Sequence, residues 1–148
     1  MDMRKLLIGV ILAALAACGD TTSPDGSHPG ANRLVITQDI DRFANDAVTI
    51  NSATINGNSL ELSVSYGGGC RDHEFGLITN GVFAESYPVQ TWVKLTHEAN
   101  GDNCFAMLSR TLRFDLSPLK ALYNSAYKTR SGIMVIHVTD GISVTYSW

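Results

Sequence analysis

The chain has 148 residues, of which 45% are hydrophobic and 17% charged, and a formal net charge of −3. That length gives one domain with a sizeable core plus a tail. Mild acidity with no Lys/Arg run argues against nucleic acid as a partner, because neutralising phosphates takes clustered positive charge.

Arg4 and Lys5 precede an unbroken apolar run from Leu6 to Leu15. The run has signal-peptide length and is too short to span a bilayer core of ~30 Å. Small residues then lead into a cysteine. Leu15-Ala16-Ala17-Cys18 resembles the lipobox of bacterial lipoprotein precursors. The resemblance implies a signal peptide over 1–17, with Cys18 acylated and first in the mature chain. The alternative is an ordinary secretory signal followed by a chance cysteine. Acyl chains contribute about 0.8 kcal/mol per buried CH₂, so two or three hold a protein on a membrane. Gly19, not Asp, follows Cys18, and by the same resemblance this points to the outer membrane, facing periplasm or surface. Loss of Asp2, Arg4 and Lys5 takes the formal charge from −3 to −4.

With Cys18 lipidated, Cys70 and Cys104 remain, and an even pair in an oxidising compartment predicts a disulfide. Two free thiols or a metal-binding pair are the rivals.

Residues 18–32 are small, polar and turn-rich, including Pro24, Pro29 and His28, and predict a flexible tether. The domain is expected over 33–148. Arg33 to Thr37 is a short strand candidate. Asp39, Asp41, Asn45 and Asp46 hint at calcium, but the glycine and closing glutamate of a Ca²⁺ loop are missing, which favours a solvated turn. Val48–Ile55 and Ser59–Tyr66 flank Asn56-Gly57-Asn58, the strongest hairpin signal in the chain. Leu60, Leu62, Val64 and Tyr66 alternate with polar residues, as a half-buried strand requires.

Gly67-Gly68-Gly69 should break the sheet and aim Cys70 at a partner. It lacks the Gly-Lys-Ser/Thr of a phosphate loop. Arg71–Thr79 returns as a strand, with His73, Phe75 and Leu77 on one face. Pro88 makes 82–88 an edge or crossing. Val89–Glu98 is a strand with Val89, Thr91, Val93, Leu95 and His97 together, and Cys104–Leu116 is another. A Cys70–Cys104 bridge would put both cysteine turns at one end of the fold.

Ser117 as cap and Pro118 at the first position open a helix near 118–127, with Leu119, Leu122, Tyr123 and Ala126 on its buried face. Ile133–Val138 and Ile142–Trp148 make a last hairpin around Asp140-Gly141, so the C-terminus should be structural. Short strands, glycine turns and one helix predict a mainly β fold: an antiparallel β-sandwich, an immunoglobulin-like one among the options, with a small barrel as the alternative. The Cys and Trp spacing does not fit an antibody-type domain.

One constellation could carry chemistry: Cys70, Asp72, His73 and Glu74 on one turn, and His97, Glu98, Asp102 and Cys104 on the other. His73 and His97 with Asp72 and Glu98 could ligate zinc or copper. Neither Cys-x-x-Cys nor His-Glu-x-x-His occurs, and both histidines share parity with apolar neighbours, so the plainer reading is histidines at the core rim. A Cys/His nucleophile needs a free thiol outside the cytoplasm, which conflicts with the expected compartment. There is no Gly-x-Ser-x-Gly elbow. His137 lies in an apolar strand and is expected in the core. Glu98 to Asn103 hints at calcium without the alternating oxygen ligands.

The blocks Gly67–Phe75, Glu85–Gln90, His97–Cys104 and Phe114–Pro118 resemble those of small uncharacterised bacterial lipoproteins. That resemblance brings no activity. The expectation is a lipid-anchored envelope module, non-catalytic, whose partner beyond the membrane is an envelope protein or a glycan. A zinc- or copper-binding lipoprotein is the alternative, and a thiol or hydrolytic enzyme the third option.

Overall fold

The computed structural model describes residues 33–148. The leader, Cys18 and the stretch holding His28 lie outside the described residues. The strands are β1 (Leu34–Ile36), β2 (Thr49–Asn56), β3 (Ser59–Gly68), β4 (Glu74–Thr79), β5 (Val89–Glu98), β6 (Ala106–Asp115), β7 (Ile133–Val138) and β8 (Ile142–Ser147), with helix α1 (Ser117–Tyr127) between β6 and β7. They form a mainly β sandwich. One sheet has five strands in the order β1-β4-β5-β7-β8, the other three in the order β2-β3-β6.

The three-stranded sheet is antiparallel, but β1 pairs parallel with β4 and β5 parallel with β7. The route of the chain explains the mixture. After β5 it crosses to the other sheet as β6, then returns through α1, and a crossover of that length delivers a strand in the same direction. The core between the sheets is built from Leu60, Leu62 and Val64 of β3, Leu77 of β4, Leu95 of β5, Phe114 of β6, Ile136 of β7 and Tyr146 of β8.

Several sequence expectations need correction. Gly67 and Gly68 do not break the sheet; they stay paired with Met107 and Ala106. Gly68 does so at φ +149°, a conformation that suits glycine, and a Cβ there would lie 2.5 Å from His73 Nε2. β4 starts at Glu74 rather than Arg71, because the N–H groups of Gly69, Cys70 and Arg71 turn towards Asp102.

Ser117 is the first helical residue rather than the cap. Buried Leu116 holds the cap position, and Asp115 Oδ1 accepts both the N–H and the hydroxyl of Ser117. On the helix Leu119 and Tyr123 are buried, Leu122 is half-buried and Ala126 is exposed. The helix closes at Lys128, with φ 54°, before Ser131-Gly132.

Candidate functional site

The β4–β5 register sets Phe75 opposite His97. His73 lies just before β4, and the disulfide joins the two turns at this end, with Cys70 and Cys104 Cα atoms 5.9 Å apart. The Phe75 ring stacks on His97 at 4.5 Å, with the two ring planes 2° apart. Tyr66 of β3 closes the cluster from the other sheet, 4.8 Å from His73 and 5.4 Å from His97.

His73, His97 and Asp102 form a continuous chain. His97 Nδ1 faces the carbonyl oxygens of Ala47 at 3.1 Å and Asp46 at 3.3 Å. His97 Nε2 lies 2.8 Å from His73 Nδ1, and His73 Nε2 lies 3.2 Å from Asp102 Oδ2. Both ends are acceptors only, carbonyls at one and a carboxylate at the other. With His97 donating from Nδ1 to the carbonyls, its Nε2 faces His73 Nδ1, and His73 Nε2 faces the Asp102 carboxylate.

Burial pushes His97 below the ordinary histidine range; the Asp46 carbonyl partly opposes this and the neighbouring His73 reinforces it. Asp102 is held well below the usual carboxylate range. The N–H of Cys104 on Oδ1 is the largest cause; the N–H groups of Cys70 and Arg71 and the ring of His73 on Oδ2 add to it. Gly69 N–H donates to the same Oδ2 at 2.8 Å.

Asp72 and Glu98 stand outside this chain. The Asp72 carbonyl accepts from Asn100 Nδ2, and Glu98 Oε1 accepts from the Asn100 N–H. The structure thus brings His73 and His97 together, but with Asp102 as their carboxylate. A metal there would need both rings to release their present bonds. Among the described residues, Cys70, Asp102 and Cys104 have ligand atoms within 4.8 Å of one another. The disulfide ties up both sulfurs of that group.

Asp46 accepts the N–H of Ala99 through Oδ2, so the carboxylate-rich segment before β2 braces the end of β5. His137, expected in the core, sits on the outer face of the five-stranded sheet. Its neighbours Ile136 and Val138 take the inward positions. It bonds to Ser143 Oγ and Gln90 Oε1 and stacks on Trp92. Sequence reasoning missed Trp92 as a surface feature. The available signal was an aromatic at the outward parity of β5, between Gln90 and Lys94.

No protein-family model matches the chain, and no curated protein matches it. Solved structures do match. A NigD-like immunity protein from Bacteroides caccae superposes with TM-score 0.51 at 15% identity, covering 80% of this chain and 62% of that one. A protein of unknown function from Bacteroides vulgatus gives TM-score 0.48 at 14% identity, covering 80% of this chain and 55% of that one. A candidate lipoprotein from Bacteroides fragilis gives TM-score 0.49 at 12% identity, over 79% and 68%. The chain thus spans 55% and 62% of the length of the first two. At these identities what is shared is the fold.

Proposed function

We propose that the chain is a lipid-anchored module of the bacterial cell envelope that binds a partner rather than catalysing a reaction. One observation carries the reading: among the described residues, the groups of the cysteine–histidine–aspartate cluster are spent on one another. Cys70 and Cys104 are bridged, and each nitrogen of His73 and His97 has a partner. Asp102 is filled by backbone N–H groups. An acid, base or nucleophile must be open to substrate, and this cluster is not. The anchor is Cys18 of the lipobox, with 18–32 as the tether of the domain 33–148; Gly19 favours the outer membrane.

The test is expression of the full chain, with its own leader, in a Gram-negative host. Wild type should sediment with membranes and carry acyl chains on Cys18 by mass spectrometry, while Cys18→Ala should lose both. Unacylated wild type in the soluble fraction would overturn the anchor. A second reading, a zinc or copper protein, is favoured by the meeting of His73 and His97. Near-stoichiometric metal in chelator-free protein, lost in the H73A/H97A double variant, would put that reading first.

A further inference from the structure

On the outer face of the five-stranded sheet, away from the histidine–aspartate chain, a cavity of about 300 Å³ opens to solvent. Ile78, Asn80, Trp92, Lys94, His137 and Thr139 line it. The register explains why they meet. Trp92 is directly opposite His137 across β5 and β7, and Lys94 is opposite Ile78 across β5 and β4. Trp92 is 52% exposed on this face.

The platform is rigid. The rings of Trp92 and His137 stack at 5.1 Å with planes 19° apart. Gln90 donates from Nε2 to Ser86 Oγ, so its Oε1 accepts from His137 Nε2–H at 2.7 Å. Ser143 Oγ is hydrogen-bonded to His137 Nδ1 at 2.9 Å. Hydrogen bonds at both ring nitrogens hold the imidazole in one orientation. On the strand side, Thr79 Oγ1 donates to the Trp92 carbonyl at 2.7 Å.

We propose that this groove binds a saccharide ring bearing a carboxylate, a uronic-acid unit of a glycan. The inference rests on the binding reading above and gives it a ligand class. A pyranose has an apolar C–H face and hydroxyls around its edge. It fits a half-open indole with hydrogen-bonding side chains at the rim. Among the described lining residues Lys94 is the one formal charge, so the rim complements an anionic ring.

The experiment titrates the full-length protein, in a detergent without a sugar headgroup, with an oligogalacturonate, its methyl ester and a neutral glucan, followed by calorimetry and tryptophan emission. The oligogalacturonate should bind about tenfold more tightly than the ester, a difference of about 1.4 kcal/mol. Lys94→Gln should erase that difference, and Trp92→Ala should abolish binding to both, with unfolding midpoints unchanged. Lack of binding by wild type at millimolar sugar overturns the proposal, as does binding that survives Trp92→Ala. A photo-crosslinker at position 92 that captures a protein in the intact envelope overturns the sugar while keeping the binding module. Absence of any envelope partner, sugar or protein, would take the underlying reading with it.

Discussion

Asp102 and His97 resist protonation for different reasons, hydrogen bonding in one case and burial in the other. Both make the fold weaker in acid. Asp102 binds a proton less readily folded than unfolded, so its contribution is complete above about pH 4 and fades as pH falls below that. His97 also binds a proton less readily in the fold. The unfolded chain takes up that proton as pH drops through about 6.5, the folded chain only lower down, and stability is lost across the interval. The expected outcome is a urea-unfolding midpoint that declines from pH 7 to 5 and again below 4. His97→Gln should remove the first step and spare the second. The glutamine amide can accept from His73 and donate to the Ala47 carbonyl without titrating. A pH 7-to-5 step that survives in the glutamine variant would assign it to another histidine. Sequence placed His73, His97 and Asp102 in one cluster through the expected bridge, but not their order. Which carboxylate reaches His73 depends on how the 98–104 turn folds, and residues Asn100 and Gly101 there take positive φ, which spacing along the chain does not encode.

At the scale of elements, period-two alternation was the most legible signal. It marked β3 from its first residue, the bounds of β5, and the β7–β8 hairpin. What alternation cannot tell is the pairing partner. A strand buried on one face reads the same whether its neighbour runs parallel or antiparallel, so the β1–β4 and β5–β7 pairs were out of reach. Strand starts at the two cysteine turns were displaced because side-chain bonds to Asp102 compete there with the ladder. These bonds also shape what the disulfide does. Cys70 and Cys104 are 34 residues apart, and closing such a loop is worth about 4 kcal/mol in the chain-entropy model. With Asp102 still gripping both turns, the native arrangement does not need the bond for its shape. Reduction, or the C70A/C104A double variant, should lower urea stability by about 4 kcal/mol while the far-ultraviolet β signal persists. Collapse of that signal on reduction at low denaturant would mean that the bridge, not Asp102, organises this end.

The molecule as a whole is closed by its last residues. Tyr146 is fully buried, and its hydroxyl donates to Asn58 Oδ1 at 2.7 Å. Asn58 belongs to the β2–β3 turn, so one phenol ties the two sheets together. Trp148 pairs its backbone with Gly132 in both directions at 3.1 Å, and its indole N–H donates to Asn124 on α1. Its ring meets Tyr123 at 5.0 Å and Tyr146 at 4.8 Å. The final three residues thus join β8, β7, α1 and the opposite sheet. Loss of one buried aromatic costs about 3–5 kcal/mol, against a total of about 5–15 kcal/mol for a domain. Truncation after Thr145 removes two aromatics together with the Gly132 pairing. It should leave the chain without a cooperative thermal transition and open it to protease. Tyr146→Phe keeps the ring and loses only the Asn58 bond, so it should cost about 1 kcal/mol and retain the transition. A truncated chain that melts cooperatively near the wild-type midpoint would show that the sandwich closes through the β4–β5 pair and the disulfide end instead.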